Sequence, residues 1–120
     1  MDNKTLGNIG EDLAVRFLEK KGMKILQRNF RYGKEEIDII VYDPTEEQLI
    51  FVEVKTRRSQ KYGLPEQSVN WSKQKAIQKV ARYYIYKHYE DEPSWKISIV
   101  PIEIVGRKVV RVELVDIVNW

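Results

Sequence analysis

Two apolar segments of the chain carry ionisable side chains where a buried strand would normally carry none. Asp38 lies within EIDIIVYD, and Glu53 and Lys55 lie within QLIFVEVK. Carboxylate oxygens are the ligands that hard cations such as Mg²⁺ and Mn²⁺ prefer. Such a cation neutralises charge on a phosphodiester and lowers the pKa of a bound water, and a nearby lysine stabilises the resulting anion. These residue types predict metal-dependent phosphodiester hydrolysis, with Asp38 and Glu53 as metal ligands and Lys55 as a catalytic residue.

The expected register of a hairpin brings the two carboxylates together. The segments are joined by PTEE, and the Asp-Pro dipeptide at its start is a turn signal. If PTEE is a four-residue loop, Asp43 pairs with Gln48. Counting back along both strands then sets Asp38 opposite Glu53. Directly opposed residues have Cβ atoms about 4.5 to 5.5 Å apart and point to the same face. Lys55, two positions beyond, lies on that face as well.

A purely structural alternative comes from the same register. It sets Glu36 opposite Lys55, so the two would form a cross-strand salt bridge at a frayed hairpin end, with Asp38 and Glu53 partly exposed. Such a bridge needs one acid, whereas three acids and one lysine share this face. Facing carboxylates in buried strands repel each other unless a proton or a cation lies between them. We therefore favour the functional interpretation.

A fourth acid, Glu11, lies on the first predicted helix. At about 100° per residue it falls at the edge of the apolar stripe, near Ala14 and Leu18. It is either a further catalytic carboxylate that faces the site or a rim glutamate stabilised by the helix dipole. The two interpretations carry equal weight, and Glu11 is kept as a candidate catalytic residue.

Basic residues concentrate in one part of the chain. From Lys55 to Lys87 there are nine lysines and arginines against a single acid, Glu66, although the whole chain has a net charge of only +3. Such a segment is typical of a surface that faces a polyanion, and the alternative is a solvated helix face. We expect nucleic acid, with DNA preferred, to be bound through its phosphates by Arg57, Arg58, Lys61 and Lys73.

Composition excludes several other kinds of chemistry. The 120 residues include no cysteine and one histidine, His88, which excludes disulfides, thiol nucleophiles, iron–sulfur clusters and zinc sites built on several imidazoles. The length predicts one domain over residues 1–120. The N-terminus is polar and acidic, unlike a secretory leader, and no apolar run approaches the roughly 20 residues of a membrane span. We expect a cytoplasmic protein with no membrane partner.

The periodicity of apolar residues predicts two helices and five strands. Helical spacing over residues 6–22 and 72–89, with strands elsewhere, gives the order α-β-β-β-α-β-β and a mixed α/β architecture. Gly22 ends the first helix, a loop around Gly63 and Pro65 precedes the second, and Gly106 marks the last hairpin. The predicted strands cover residues 23–30, 36–43, 48–55, 95–105 and 108–117.

Aromatic and histidine side chains of the second helix are less informative. His88 shares the apolar stripe of that helix, so we expect a core or interface histidine. Tyrosines at helical spacing pack a core or a dimer contact more often than they stack on bases, and a homodimer stays open. Trp71, which precedes Ser72 and Lys73, is the better candidate for a ligand contact.

Several segments, in order, resemble one known family. The spacing of Asp38 and the Glu-Val-Lys at 53–55 looks like the PD-(D/E)xK signature of restriction-endonuclease-like nucleases. More closely, GEDLAVRFLEKKGMKILQRNFR, EIDIIVYD, LIFVEVKTR and YGLPEQSV resemble the YraN-like family of small bacterial proteins, distant relatives of archaeal Holliday junction resolvases. The resemblance runs from about Gly7 to Tyr84. It implies a restriction-endonuclease-like fold with a central mixed five-stranded sheet flanked by helices.

The resemblance also implies a site, and two positions depart from the family pattern. Glu35 stands where the family usually has the glycine of Gly-Glu-Ile-Asp, and Lys-Ile-Ser at 96–98 stands where it usually has Arg-Phe-Asp. The first change alters backbone freedom before the second strand, and the second removes a late acid. The residues that match the family's site positions are Glu11, Glu36, Asp38, Glu53 and Lys55.

Three function classes follow from the sequence. The first is an Mg²⁺- or Mn²⁺-dependent endonuclease that acts on branched or otherwise structured DNA. The second is a nucleic-acid-binding module that has the same fold and no turnover. The third is a protein-interaction domain in which the acidic cluster is structural.

Overall fold

Two helices and six strands make up the part of the chain that the computed structural model describes, which is residues 2–58 and 69–117. The predicted order and the mixed α/β class are confirmed, and the loop predicted at Gly63 and Pro65 lies outside these residues. The helices are α1 (Asn3–Lys20) and α2 (Trp71–His88). The strands are β1 (Lys24–Tyr32), β2 (Glu35–Asp43), β3 (Gln48–Arg57), β4 (Trp95–Val105), β5 (Lys108–Val112) and β6 (Val115–Asp116).

The described strands form one mixed sheet in the order β1-β2-β3-β4-β5, with β6 also paired to β4. β1, β2 and β3 are antiparallel neighbours, and β3 lies parallel to β4. Parallel neighbours require a crossover, which α2 supplies. The β4–β5 register at Ile102–Val112 continues to the β4–β6 pair Ile99–Val115. The fifth predicted strand is therefore one register interrupted at Glu113 and Leu114, which makes two strands of it.

α1 is defined by its caps and by one buried stripe. Asp2 Oδ1 accepts a hydrogen bond of 2.7 Å from the Thr5 N–H, which is a typical N-cap. The chain leaves the helix through Gly22 at φ +89, a conformation that glycine adopts readily. Ala14 and Leu18, in the C-terminal half of the stripe, pack with Ile50 and Val52 of β3. The buried residues recur at every fourth position: Leu6, Gly10, Ala14 and Leu18.

α2 covers the other face of the sheet. Its N-cap, Asn70, accepts a hydrogen bond of 2.9 Å from the Lys73 N–H. Its apolar stripe packs around Phe51, in a cluster separate from that of α1. Because Phe51 alternates along β3 with Ile50 and Val52, the two helices lie on opposite faces. Neither described helix combines the length and apolar character that crossing a membrane requires. The stripe consists of Ile77, Val80, Ala81, Tyr84 and Ile85.

His88 is exposed at the end of α2, so the core position expected for it is wrong, whereas the interface position stays a prediction. Its ring stacks on Tyr84 with the ring centroids 4.1 Å apart, and Nδ1 lies 2.9 Å from the Tyr84 carbonyl oxygen. Tyr84 is buried, as expected of a core tyrosine, whereas Tyr86 is 82% exposed. The apolar stripe of α2 therefore ends at Ile85, three residues before the end that helical spacing predicts.

α1 makes a close approach to β3 at Gly10. A Cβ added there would lie 1.8 Å from Thr56 Oγ1 and 2.9 Å from Thr56 Cβ, so a side chain does not fit. Thr56 directly follows Lys55, and the contact therefore sets the distance between α1 and the end of β3 that carries the candidate site. Gly7, on the same helix, would place its Cβ with nothing within 4 Å.

Replacing Gly10 with alanine is expected to destabilise the fold by about 1–3 kcal/mol, the usual cost of forcing a methyl group into a packed contact. Gly7→Ala is the matched control. Nothing crowds that position and alanine favours a helix, so this variant should be neutral or up to about 1 kcal/mol more stable than the parent. Urea unfolding followed by circular dichroism measures both. Equal stability of the two variants would contradict the close packing of α1 on β3.

Candidate active site

The antiparallel ladder between β2 and β3 ends where the candidate carboxylates begin. It runs in the predicted register from Asp43–Gln48 to Ile39–Val52. One position further on, Asp38 Oδ2 accepts a hydrogen bond of 2.8 Å from the Val54 N–H. A side chain, not a backbone carbonyl, thus binds this donor of β3. The bond ties Asp38 to the residue that follows Glu53, so the structure brings the two acids together.

Glu53 is buried beside a second acid. The residue is 7% exposed, Oε1 lies 3.8 Å from Lys55 Nζ, and Oε2 is buried with no hydrogen-bond partner in the part of the chain that the structure describes. Burial, followed by repulsion from Asp38, raises the pKa of Glu53 to about 7, while the charges of Lys73 and Lys55 oppose the increase. A buried carboxylate oxygen without a donor is costly, and a proton or a cation would remove that cost.

Burial also raises the pKa of Asp38, to about 6. The hydrogen bond from Val54 opposes this increase, repulsion from Glu11 and Glu36 adds to it, and the charge of Lys55 lowers the pKa again. Two neighbouring carboxylates with raised pKa values hold protons close to neutral pH. A divalent cation would compete with those protons for the same oxygens.

Glu36 and Lys55 have other partners than the cross-strand salt bridge of the structural alternative. Glu36 Oε2 lies 3.2 Å from an Nη atom of Arg31 on β1, whereas Lys55 pairs with Glu53. The bridge of the structural alternative is therefore not formed. Without that bridge Lys55 lies beside Glu53 and is near enough to Asp38 to lower its pKa, which is the arrangement that the functional interpretation requires.

Glu11 reaches the carboxylates from α1, and β1 holds its side chain. Oε1 lies 3.2 Å from an Nη atom of Arg28, and Oε2 accepts a hydrogen bond of 3.2 Å from Asn29 Nδ2. Arg28 also contacts Asp12 at 2.8 Å. Asn29 has φ +53, a left-handed conformation that asparagine tolerates. Glu11 is near enough to raise the pKa of Asp38, so it faces the site while its own charge is compensated.

A cleft of about 610 Å³ lies between the first half of α1 and the ends of β2 and β3. Its walls are mostly polar and include Asp38 and Lys55. α1 contributes Lys4 and Asn8, two residues that the sequence analysis missed. Together with Glu11 they occupy positions i, i+4 and i+7 of one helix face, and that spacing was the signal available in the sequence.

Lys73 approaches the acids from the first turn of α2. It lies one turn before Ile77, on the side of the helix that faces the sheet, and its charge opposes the increase in the pKa of Glu53. Its Nζ lies 3.6 Å from Glu35 Oε2. Glu35 is the residue that stands in place of a glycine in the resembled pattern. That departure therefore gives Lys73 an acidic partner.

The second departure from the resembled pattern is accompanied by an acid from β6. Asp116 Oδ1 accepts a hydrogen bond of 2.8 Å from Ser98 Oγ, and its Oδ2 accepts one of 3.0 Å from Lys96 Nζ. A carboxylate thus reaches position 98 from the last strand. It is engaged by both polar residues of the Lys-Ile-Ser tripeptide.

The other predicted phosphate-binding residues follow the site along the chain. Arg57 is the last residue of β3 and is partly exposed, and Arg58 beyond it is exposed. Lys61 lies outside the described residues. The contacts of these side chains with phosphate stay predictions.

Metal binding would depend on two protein ligands. Within residues 2–58 and 69–117, no three His, Cys, Asp or Glu side chains converge closely enough to hold a metal ion. Asp38 and Glu53 would thus act as a pair of carboxylates. Mg²⁺ commonly keeps several waters and is bound through one or two carboxylates, so this donor set suits Mg²⁺ or Mn²⁺.

Comparison with known proteins identifies relatives that share one family description. A family described as "Uncharacterised protein family UPF0102" matches residues 10–118. A UPF0102 protein of Caldicellulosiruptor bescii is 45% identical over 117 residues, which cover 96% of this chain and 97% of the relative. A UPF0102 protein of Alkaliphilus metalliredigens is 49% identical over 83 residues, which cover 69% of this chain and 71% of the relative. A UPF0102 protein of Clostridioides difficile is 39% identical over 109 residues, which cover 91% of this chain and 94% of the relative. These matches confirm the predicted resemblance to the YraN-like family, which UPF0102 describes.

The raised pKa values predict that stability decreases as the pH rises through the range in which the acids titrate. The ordinary pKa values are 3.8 for Asp38 and 4.5 for Glu53, against about 6 and about 7 in the fold. Between the ordinary and the raised pKa values, the folded state therefore binds more protons than the unfolded state. The free energy of unfolding that these protons contribute is fully present below the ordinary pKa values and is lost as the pH rises to about 7. Glu53→Gln should be more stable than the parent above this range, by on the order of 2 kcal/mol.

Urea unfolding from acidic to mildly alkaline pH measures this difference. Glutamine resembles the protonated acid, so the advantage of Glu53→Gln should shrink towards zero in acid. Glu46→Gln, at an exposed position between β2 and β3, is the control and should follow the parent. An advantage of Glu53→Gln that does not change with pH would exclude titration of Glu53 as its cause.

Proposed function

The chain belongs to the UPF0102 family, and we propose that it is a metal-dependent endonuclease that hydrolyses phosphodiester bonds in branched or otherwise structured DNA. The observation that carries the proposal is the pair formed by the partly buried Asp38 and the buried Glu53, with Lys55 Nζ 3.8 Å from one oxygen of Glu53 and no donor to the other among the described residues. A mixed sheet between two helices supports the restriction-endonuclease-like assignment.

The two acids suit a hard divalent cation by their chemistry and their burial. Asp38 uses Oδ2 for the Val54 N–H, and Oδ1 would serve the cation. Glu53 would use the Oε2 that has no donor among the described residues. When bound, the ion would neutralise charge on the scissile phosphate and lower the pKa of a water. The protons that the acids hold near neutral pH would leave at the same time.

Lys55 and Lys73 have complementary electrostatic roles in this proposal. Both charges favour the ionised form of Glu53, which is the form that can hold a cation. Lys55 lines the polar cleft as well, so its ammonium group would donate to a phosphate oxygen and stabilise the charge that develops there. Lys73 is held by Glu35 at 3.6 Å and would act on a phosphate beside the scissile one.

The cleft would hold the parts of the substrate that flank the scissile bond. Lys4 and Asn8 line it on the α1 side, and Lys55 lines it on the β3 side. Arg57, Arg58 and Lys61 follow in the sequence and would bind phosphates on one side of the scissile bond. A polyanion would thus be held on both sides of the carboxylate pair.

A nucleic-acid-binding module without turnover is the second candidate. The observation that favours it is the small number of metal-binding side chains, because no third one joins Asp38 and Glu53 in the described part of the chain. Such a module would bind DNA with a strong dependence on salt and cleave none. A protein-interaction domain would do neither, so binding and cleavage measured together separate the three classes.

Calorimetric titration with Mn²⁺ and Mg²⁺ tests the metal site. We expect weak binding to the parent, since two protein carboxylates leave most of the coordination shell to water. Asp38→Asn and Glu53→Gln should each abolish it, and Glu46→Gln should not. In slightly acidic buffer, binding to the parent should also release protons, which makes the measured heat depend on the buffer. Equal binding by Glu53→Gln and the parent would show that the pair is structural only.

DNA binding and cleavage should respond differently to two sets of substitutions. Replacing Arg57, Arg58 and Lys61 by alanine should weaken binding and flatten its salt dependence, because each phosphate contact contributes about −0.9 to the slope of log K against log salt. Glu53→Gln should bind as tightly as the parent or more tightly, since a negative charge is lost, while cleavage disappears. Fluorescence anisotropy and gel assays on duplex, single-stranded, flap and four-way-junction DNA measure both. Loss of affinity in Glu53→Gln equal to that of the triple variant would contradict the proposed site.

A further inference from the structure

Aromatic and basic residues share one ridge of α2. They lie at successive positions i, i+4, i+8, i+12 and i+16, and residues four apart are neighbours on a helix surface. At 1.5 Å per residue the ridge is about 24 Å long. Trp71 at its start is 68% exposed, and the lysines are exposed as well. The α2 ridge consists of Trp71, Lys75, Lys79, Tyr83 and Lys87.

The cations of the ridge contact aromatic rings. Lys75 Nζ lies 4.9 Å from the centroid of the Trp71 ring, and Lys87 Nζ lies 5.6 Å from that of Tyr83. Tyr32, at the end of β1, extends the ridge: its ring stacks on Tyr83 with centroids 4.0 Å apart, and Lys79 Nζ lies 5.8 Å from it. Tyr32 is 37% exposed. The result is a row of partly exposed rings with a positive charge beside each.

The composition of the ridge fits an unpaired strand better than a duplex. α2 contains no acidic residue, so the positive charge of the ridge meets no opposing charge on its own helix. A positive surface alone would suit the phosphates of any nucleic acid. Exposed rings add a partner for the faces of bases, and those faces are accessible only where bases are unstacked. Single-stranded nucleic acid is therefore the ligand that uses both features.

The start of the ridge lies close to the candidate active site. Lys73 belongs to the same helical turn as Trp71, and its charge acts on Glu53. We propose that the α2 ridge binds the unpaired strand of a nucleic acid next to the scissile bond, with bases stacked on Trp71 and Tyr32 and phosphates bound by Lys75 and Lys79. The role of this strand as substrate rests on the proposed function, whereas the binding itself does not.

Binding is measured in EDTA, so that no cleavage occurs, by anisotropy of a labelled oligothymidylate of about 15 nucleotides, a length within the usual range for single-strand binding sites. Trp71→Ala should weaken binding about fivefold or more, the lower end of the effect of removing a stacking ring, without changing the salt slope. Trp71→Phe, which keeps a ring, should restore most of the affinity. Lys75→Ala with Lys79→Ala should weaken binding and reduce the slope by about 1.4, for two contacts at about 0.7 each.

Controls separate these effects from net charge and from general polyanion binding. Lys20→Ala with Lys24→Ala removes the same charge at exposed positions of α1 and β1 and should bind like the parent. A duplex of the same length should be insensitive to Trp71→Ala. An oligouridylate of equal length shows whether the strand is DNA or RNA, and either result is consistent with the ridge. Displacement by polyglutamate as effective as by the oligonucleotide would overturn the assignment of nucleic acid.

The proposal is overturned if Trp71→Ala and the ridge double variant both bind the single strand like the parent. It is also overturned if Trp71→Phe binds no better than Trp71→Ala. Failure of the proposed endonuclease activity gives a different result, because single-strand binding would keep its dependence on the ridge while no DNA of the panel is cleaved. If the ridge is wrong and the active site is right, flap cleavage by the parent and by both variants would be equal in the presence of Mg²⁺.

Discussion

The hydrogen bond from the Val54 N–H to Asp38 Oδ2 is the constraint on which the candidate site depends. It ends the β2–β3 ladder and keeps a carboxylate at the point where the strands separate. Because the donor is a backbone group of β3, Asp38 cannot move away from Glu53 without losing it. The repulsion between the acids is therefore retained in the fold, and the surrounding charges of Lys55 and Lys73 compensate it only in part.

The energetic cost of this acid pair is balanced away from the site. Two separate clusters of buried apolar residues, one on each face of the sheet, supply the burial that stabilises the domain. Glu53 follows the apolar run of β3 at a buried position, where an apolar side chain would cost the fold less free energy. Buried polar groups that are costly to the fold and close to a polar cleft are typical of functional sites. The unsatisfied oxygen of Glu53 is one instance in the described structure.

Local rules predicted the hairpin, and distant contacts decided the rest of the site. The register that brings Asp38 to Glu53 depends only on the length of a four-residue loop, so it could be counted from the sequence. The approach of Lys73 to Glu53 depends on the position at which α2 packs on the sheet, and periodicity does not specify that position. The bond from Asn29 to Glu11 requires a left-handed backbone between two ordinary strand residues. The break at Glu113 interrupts a strand whose apolar alternation continues through it.

The parallel pairing of β3 with β4 also bears on the order in which the chain folds. The β2–β3 hairpin joins residues close in sequence, whereas β4 can pair only after α2 has crossed the sheet, and contacts between distant residues form more slowly. Asp38 and Glu53 therefore meet before Lys73 arrives to offset their charge. An early hairpin of this kind is easier to form with a proton on one of the acids. Mild acidity should accordingly favour nucleation, and the proton would be held more tightly as the domain is completed, because burial is the main cause of the raised pKa of Glu53.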